Sequence, residues 1–141
     1  MNIWKLLNLL LNTSQKNLQK NGFKIRKFHF KHVKIYLLGH ALELGLKSFL
    51  SYKGKSINEL INVYEHNLIK CFNDAQKLGL KLPGFTKVEI VTTKSRIQAF
   101  TLAYKSQSYR YFKKSKYNHP IPFYFVGTIK KILQDIKKQV T

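Results

Sequence analysis

One stretch of the sequence constrains the fold more than any other, because its apolar residues recur with the period of an α-helix. They fall at intervals of four, three, four and three residues, and they are Leu38, Leu42, Gly45, Phe49 and Tyr52. This spacing places them on one continuous helix face. Adjacent apolar residues widen the face around much of the circumference. The pattern therefore predicts a helix over about residues 33–53 that lies at the centre of a bundle.

Further helical patterns follow, separated by recognisable start and stop signals. Ser56 to Glu59 and Thr86 to Glu89 are capping boxes, in which each end residue satisfies a free backbone N–H at a helix start. Gly54 and Gly79 are placed to end the preceding helices. The apolar residues predicted to face inward after the first capping box are Ile57, Leu60, Ile61 and Tyr64.

The periodic segments together define the fold class. They cover about residues 2–20, 33–53, 57–64, 68–78, 87–112 and 122–140. Residues 23–32 alternate aromatic and basic side chains, so they fit either an extended connection or an earlier start of the central helix. Nothing alternates like a sheet over several strands. We therefore expect residues 1–141 to form a single all-α domain, an antiparallel bundle of five or six helices.

The charge balance of the chain points to a polyanionic partner. It contains 26 Lys or Arg and 6 Asp or Glu, which gives a formal charge of +20. Because 23 of the basic residues are Lys, a coding bias explains part of this excess, but such a bias does not remove acids. The basic residues concentrate in residues 1–42 and 91–141, and the middle of the chain is nearly neutral. Nucleic acid or an anionic membrane surface are the partners that such a charge favours.

Location and cofactors are constrained by what the sequence lacks. No apolar stretch approaches the roughly 20 residues that a membrane-spanning helix requires, and the polar face of residues 2–20 is mostly Asn and Gln, which argues against binding to a membrane surface. We therefore expect no membrane partner and a cytoplasmic protein. Cys71 is the single cysteine, which excludes an intramolecular disulfide framework. The pair His29 and His32 has no nearby carboxylate or thiol, so neither a metal nor another cofactor is predicted.

The best candidate for nucleic-acid binding is the segment 109–117, in which aromatic and basic residues alternate. Its lysines are placed to contact phosphates, and its aromatic rings are of the kind that stack on unpaired bases. The alternative is that the rings pack into the bundle and the lysines are only solvated. The predicted binding residues are Tyr109, Arg110, Tyr111, Lys113, Lys114, Lys116 and Tyr117.

The central helix also carries a polar stripe, formed by His40, Glu43 and Lys47. It predicts either a buried network that joins two helices or a binding pocket. Glu43 precedes Lys47 by four residues, the favourable order for an ion pair on a helix. His66 precedes a predicted helix, and we interpret it as a capping or packing residue, with a catalytic role as the alternative.

Four short motifs, taken in order, resemble the HEPN family (higher eukaryotes and prokaryotes nucleotide-binding). Residues 39–50, GHALELGLKSFL, resemble the core helix of that family. Residues 65–68, EHNL, resemble its His-Asp-Leu motif, with Asn67 at the usual Asp position. Residues 78–80, LGL, and 109–111, YRY, look like features further along the family sequence. The resemblance covers about residues 35–111, which leaves 1–34 and 112–141 as basic flanks.

The resemblance implies an antiparallel bundle, often a homodimer, with a role in RNA cleavage, toxin–antitoxin pairs, phage defence or service beside a nucleotidyltransferase. Ribonucleases of the family use an Arg and a His separated by about four to six residues, in which His transfers a proton and Arg stabilises phosphorane charge. Arg26 and His32 are separated by five residues but precede the core helix. Arg110 and His119 are separated by eight, which exceeds the family spacing.

Three functions follow from these observations. The first is a HEPN-like domain that binds RNA or another polyanion through its basic flanks, without strong catalysis of its own. The second is a metal-independent ribonuclease that uses one of the Arg and His pairs. The third is a non-catalytic subunit that pairs with itself or with a nucleotidyltransferase.

Overall fold

The computed structural model describes residues 26–105 and 123–141, with side chains described over 34–105 and 125–141. Within these ranges the chain forms helices and no strand, and the helices pack against one another. They are α1 (Arg26–Tyr52), α2 (Ile57–Asn62), α3 (Leu68–Lys77), α4 (Lys87–Lys105) and α5 (Phe123–Val140). The prediction of an all-α helical bundle is confirmed.

The long helix α1 organises the core. It makes its most extensive contacts with α5 and α3, and α4 lies mainly against α3. Leu42, Leu46 and Phe49 of α1 are completely buried. Burial of a Leu or Phe side chain contributes about 1.5–3 kcal/mol, so this face supplies much of the stability of the bundle. The predicted central position of this helix is confirmed.

The helix ends follow the signals in the sequence. Gly54 and Gly79 have φ angles of 95° and 91°, a left-handed conformation that favours glycine. The Ser56 side chain accepts a hydrogen bond from the Glu59 backbone, and the Glu59 carboxylate accepts one from the Ser56 backbone. Thr86 and Glu89 form the same reciprocal pair at the start of α4. Both predicted capping boxes are confirmed.

The structure selects one of two open alternatives, and two local predictions need correction. Helix α1 begins at Arg26, so residues 26–32 form an earlier start of the central helix and not an extended connection. Ile57 and Ile61 of α2 are 73% and 61% exposed, because this six-residue helix buries none of its side chains. The N-cap of α3 is Asn67, whose side chain accepts from the Lys70 backbone, so the cap predicted at His66 is wrong by one residue.

Two glycines of α1 allow other helices to approach closely. A Cβ at Gly45 would contact the Leu133 side chain of α5, and a Cβ at Gly39 would lie 2.8 Å from Tyr104 of α4. The second contact matters for function, since it lets the Tyr104 ring reach the polar stripe of α1. Across the described part of the chain, every helix is too short or too polar to cross a bilayer.

Candidate functional site

A buried carboxylate lies at the centre of the candidate site. Glu43 of α1 is only 3% exposed. A buried charge is costly unless hydrogen bonds replace the lost water. The Lys47 ammonium donates to Glu43 Oε1 at 2.8 Å, and the Tyr104 hydroxyl donates to Oε2 at 2.7 Å. His66 Nδ1 lies 3.2 Å from the same Oε2. We refer to Glu43, Lys47, His66 and Tyr104 as the Glu43 cluster.

The cluster fixes the protonation states of two members. Burial on its own raises the pKa of Glu43, but hydrogen bonds from Lys47, Tyr104 and His66 outweigh it and lower the pKa below its ordinary value. Glu43 is therefore ionised at neutral pH. Burial, followed by the contact with Glu43, raises the pKa of the Tyr104 phenol above its ordinary value, so the phenol stays protonated and donates.

Three separate segments assemble the cluster. Glu43 and Lys47 are one helical turn apart on α1, and Tyr104 lies in the last turn of α4. His66 lies in the connection between α2 and α3, and its ring meets the Tyr104 ring edge-on at 6.1 Å. His40 is at the margin, with Nδ1 3.5 Å from the Tyr104 hydroxyl. The polar stripe thus links α1 to α4, and its Lys47 also lines an open cleft.

The contact with Glu43 sets the tautomer of His66. An ionised carboxylate can only accept hydrogen bonds, so His66 Nδ1 carries the hydrogen and donates it. When the ring is neutral, Nε2 then holds the lone pair. The His66 side chain is 54% exposed, whereas the Glu43 side chain is 4% exposed. A buried, ionised group therefore orients a ring that solvent can reach.

The backbone beside His66 is strained. Glu65 has a φ of 43°, in the left-handed region that costs a residue with a Cβ about 1–2 kcal/mol. The Lys47 ammonium donates to the Glu65 carbonyl at 2.6 Å while it also binds Glu43. Lys47 thus connects the carboxylate that orients His66 to the strained residue that precedes it.

An open cleft of about 520 Å³ adjoins the cluster, and its lining residues are Lys47, Ile61, Glu65, His66 and Lys105. Lys105 Nζ lies 3.7 Å from Glu65 Oε2, and both side chains are more than half exposed. Exposed ion pairs of this kind contribute about 0–1 kcal/mol, so Lys105 can exchange Glu65 for another anion at little cost. A cation and an oriented histidine therefore line the same cleft.

The structure brings together some of the residues singled out in the sequence. His40, Glu43, Lys47 and His66 meet, although His66 does so as a partner of Glu43 and not as a helix cap. The backbones of Arg26 and His32 lie in α1, and their side chains are outside the described part. The other predicted residues also lie outside it, namely Tyr109, Arg110, Tyr111, Lys113, Lys114, Lys116, Tyr117 and His119.

The helical pattern over residues 87–112 places Tyr104 on the same face as Ile90 and Ile97, but no local pattern indicates a role for Glu65 or Lys105. The ring of Tyr104 is indeed buried, at 4% exposure, but its hydroxyl binds a residue 61 positions away, which no local pattern reveals. Cys71 is buried in the core, and burial raises the pKa of its thiol to about 12. Within residues 26–105 and 123–141, no three His, Cys, Asp or Glu side chains group as metal ligands would.

Comparison with known proteins identifies no relative of this chain. No family model matches its sequence, and neither the curated proteins nor the solved structures include a significant match.

Proposed function

We propose that this chain is a HEPN-like helical domain that binds single-stranded RNA, or a polyanion with the same phosphate chemistry. Its basic surface supplies the long-range attraction, and the cleft beside the Glu43 cluster receives a phosphate. The observation that carries the proposal is the use of the six acidic residues, each of which is buried or paired within the fold.

The acids fall into three groups. Glu43 and Asp135 are buried. Glu59 and Glu89 close the two capping boxes. Glu65 pairs with Lys105, and Asp74 accepts hydrogen bonds from Tyr64 and Lys77. Acids are thus present where the fold uses them and are otherwise missing from a chain with 26 basic residues. A coding bias toward Lys does not produce that distribution, whereas selection for a polyanionic partner does.

The basic side chains of α5 extend this positive surface. They lie away from its buried stripe, as the sequence predicts, and the exposed ones are Lys130, Lys131, Lys137 and Lys138. The Lys131 ammonium already has partners within the fold, since it donates to the Gly84 carbonyl and lies over the Phe85 ring at 4.6 Å. Lys130 and Lys138 are the simplest positions at which to test the contribution of charge.

Single-stranded RNA is favoured over a membrane surface by the residue types of one segment of the sequence. Segment 109–117 follows Lys105 by four residues in the sequence and alternates aromatic with basic residues. Lysines that contact phosphates, combined with rings that stack on bases, are typical of proteins that bind single strands. Tyr111, Phe112 and Tyr117 are the proposed stacking residues.

A salt titration of RNA binding tests the proposal. The anisotropy of a short fluorescent single-stranded RNA gives Kd between about 50 and 300 mM salt, and the affinity falls with a slope of about −0.7 for each phosphate contact. The paired substitution Lys130→Gln and Lys138→Gln is expected to reduce the slope by up to about 1.4. The paired substitution Lys130→Arg and Lys138→Arg is the matched control, because it keeps both positive charges and is expected to leave the slope unchanged. A slope near zero for the unmodified protein contradicts the proposal.

The finer expectations from the resemblance stay predictions. They are the homodimer, a nucleotidyltransferase partner, a toxin–antitoxin or defence setting, and a cytoplasmic location. Mass measurement in solution, alone and with a candidate partner, tests the first two. Ribonuclease activity through the pair Arg26 and His32, or through Arg110 and His119, predicts RNA cleavage in EDTA that is lost when the arginine is replaced by alanine.

A further inference from the structure

We propose that His66, oriented by Glu43, is a general base that acts on a ribose 2′-hydroxyl of RNA bound in the cleft. This inference rests on the proposed RNA binding. It assigns catalysis to a different site from either Arg and His pair, since it uses the connection before α3 and the middle of α1.

The contact with Glu43 fixes the orientation of His66. The contact from Nδ1 to Glu43 Oε2, at 3.2 Å, leaves Nε2 as the basic nitrogen of the neutral ring. The ring lines the cleft, and the side chain is 54% exposed. A carboxylate that holds one imidazole nitrogen while the other faces substrate is an arrangement that general bases require.

Packing alone does not explain the position of His66. Lys47 and Tyr104 already donate one hydrogen bond to each oxygen of Glu43, at 2.8 and 2.7 Å. The contact of His66 is the longest of the three and comes from the most exposed side chain. The left-handed Glu65, with a carbonyl that Lys47 binds at 2.6 Å, keeps His66 beside the carboxylate. Backbone strain maintained by the surrounding structure is typical of functional sites.

Lys105 provides a cation in the part of the cleft where a phosphate of the bound RNA would lie. Lys105 lines the same cleft as His66, and its exposed pair with Glu65, at 3.7 Å, is loose. The volume of about 520 Å³ lies within the range of small-molecule sites. Tyr104 and Lys47 stay bound to Glu43 and do not need to move.

The reaction is an internal transesterification. His66 Nε2 takes the proton of the 2′-hydroxyl, and O2′ forms a bond to the adjacent phosphorus. The bond from phosphorus to O5′ breaks, and O5′ takes a proton from solvent. Lys105 stabilises the negative charge on the phosphate oxygens as the five-coordinate state forms. The products are a 2′,3′-cyclic phosphate and a 5′-hydroxyl, and His66 returns its proton to water, so the reaction consumes no further reagent.

The variant His66→Asn separates orientation from proton transfer. The asparagine amide nitrogen takes the place of Nδ1 and keeps the contact with Glu43, but nothing replaces Nε2. We expect RNA binding within about twofold of the unmodified protein and a loss of cleavage of about 100-fold or more. Gln98 is exposed on α4, so the substitution Gln98→Ala is the matched control and is expected to change neither binding nor cleavage. In His66→Gly, added imidazole is expected to restore part of the cleavage.

Glu43 is a positioning residue, because it acts through His66. Glu43→Gln keeps an acceptor of similar size, and we expect kcat to fall at least tenfold while KM changes less than twofold. A purely structural role would instead lower the fraction of folded protein without changing kcat per folded molecule.

The assay uses two RNAs of one sequence, one all-ribose and one with 2′-deoxy sugars throughout, and measures binding in parallel with cleavage. Cleavage of the ribose form alone, with a 2′,3′-cyclic phosphate end, supports the proposal. Binding of both RNAs without cleavage overturns the catalytic inference and leaves RNA binding intact. Cleavage that His66→Asn leaves unchanged overturns the role of His66. Absence of binding overturns both proposals.

Discussion

The substitution Gly39→Ala tests whether the close approach of α4 to α1 builds the Glu43 cluster. Gly39 precedes Glu43 by one turn of α1. A Cβ at this position would lie 2.8 Å from Tyr104 Cδ2, 2.9 Å from Tyr104 Cε2 and 2.9 Å from Phe100 Cζ. Carbon atoms in contact prefer separations of about 3.5–4.0 Å, so both rings have to move by more than half an ångström. That movement pulls the Tyr104 hydroxyl away from Glu43, which it now binds at 2.7 Å.

The expected loss of stability is about 3 kcal/mol. Replacing glycine by alanine in a helix interior contributes about 0.5–1 kcal/mol of stabilisation. Overpacking against the rigid rings costs about 1–3 kcal/mol. Weakening a hydrogen bond to a charged group costs a further 1.5–3 kcal/mol or so. With both costs at their lower limits and the helix gain at its upper limit, Gly39→Ala still lowers the free energy of unfolding by about 1.5 kcal/mol.

Urea unfolding followed by helical circular dichroism measures the difference. Gly127→Ala is the matched control, since Gly127 also lies in a helix but a Cβ there meets nothing within 4 Å. The control is expected to gain about 0.5–1 kcal/mol. If Gly39→Ala is as stable as the unmodified protein or gains as much as the control, the packing of Tyr104 against Gly39 is refuted.

Three further predictions concern Glu43, Cys71 and Gln139. The pKa of Glu43 is lower in the folded than in the unfolded protein, so the stability that its ionised form contributes is complete above the unfolded-state pKa and is lost as pH falls through the folded-state pKa. Between about pH 6 and pH 3, the free energy of unfolding should therefore decline less in Glu43→Gln than in the unmodified protein. Burial raises the pKa of Cys71 to about 12, so a thiol reagent at about pH 8 should label Cys71 only as fast as the protein opens. Rapid labelling in the absence of urea would contradict the burial of Cys71. The Gln139 side chain accepts a hydrogen bond from the Lys81 backbone N–H at 3.0 Å and donates one to the Lys81 carbonyl at 2.7 Å. Gln139→Ala should therefore lower the free energy of unfolding in urea by about 1 kcal/mol. An unchanged free energy would show that these bonds do not stabilise the end of α5.

The helices were largely predictable because their signals are local. Capping boxes and glycine stops lie within three or four residues of the helix ends that they define, and Ser56 and Gly54 behave as their positions suggest. The start of α1 was not predictable, since residues 23–32 alternate aromatic and basic side chains without a capping signal. The exposure of Ile57 and Ile61 was also missed, because periodicity identifies a helix face but not whether a neighbour covers it.

The candidate site was predictable only in part, for a physical reason. The pair Glu43 and Lys47 is local to one helix turn, and it forms as expected. The contacts that turn the pair into a cluster join Glu43 to His66 over 23 positions and to Tyr104 over 61 positions. Such contacts depend on how helices pack, and a single sequence contains no direct record of packing. The aromatic ring of Tyr104 therefore predicted a position in the core, but no local pattern indicated that its hydroxyl binds Glu43.

The central claim is that RNA phosphate reaches the cleft beside a histidine that Glu43 orients. Nitrogen-15 NMR of the histidine side chains at about pH 8 measures both parts, because it distinguishes the two ring nitrogens. We predict that His66 carries its hydrogen on Nδ1 and that added single-stranded RNA shifts its Nε2 signal in proportion to the bound fraction. A hydrogen on Nε2, or a His66 spectrum that does not change while RNA binds, would contradict the claim.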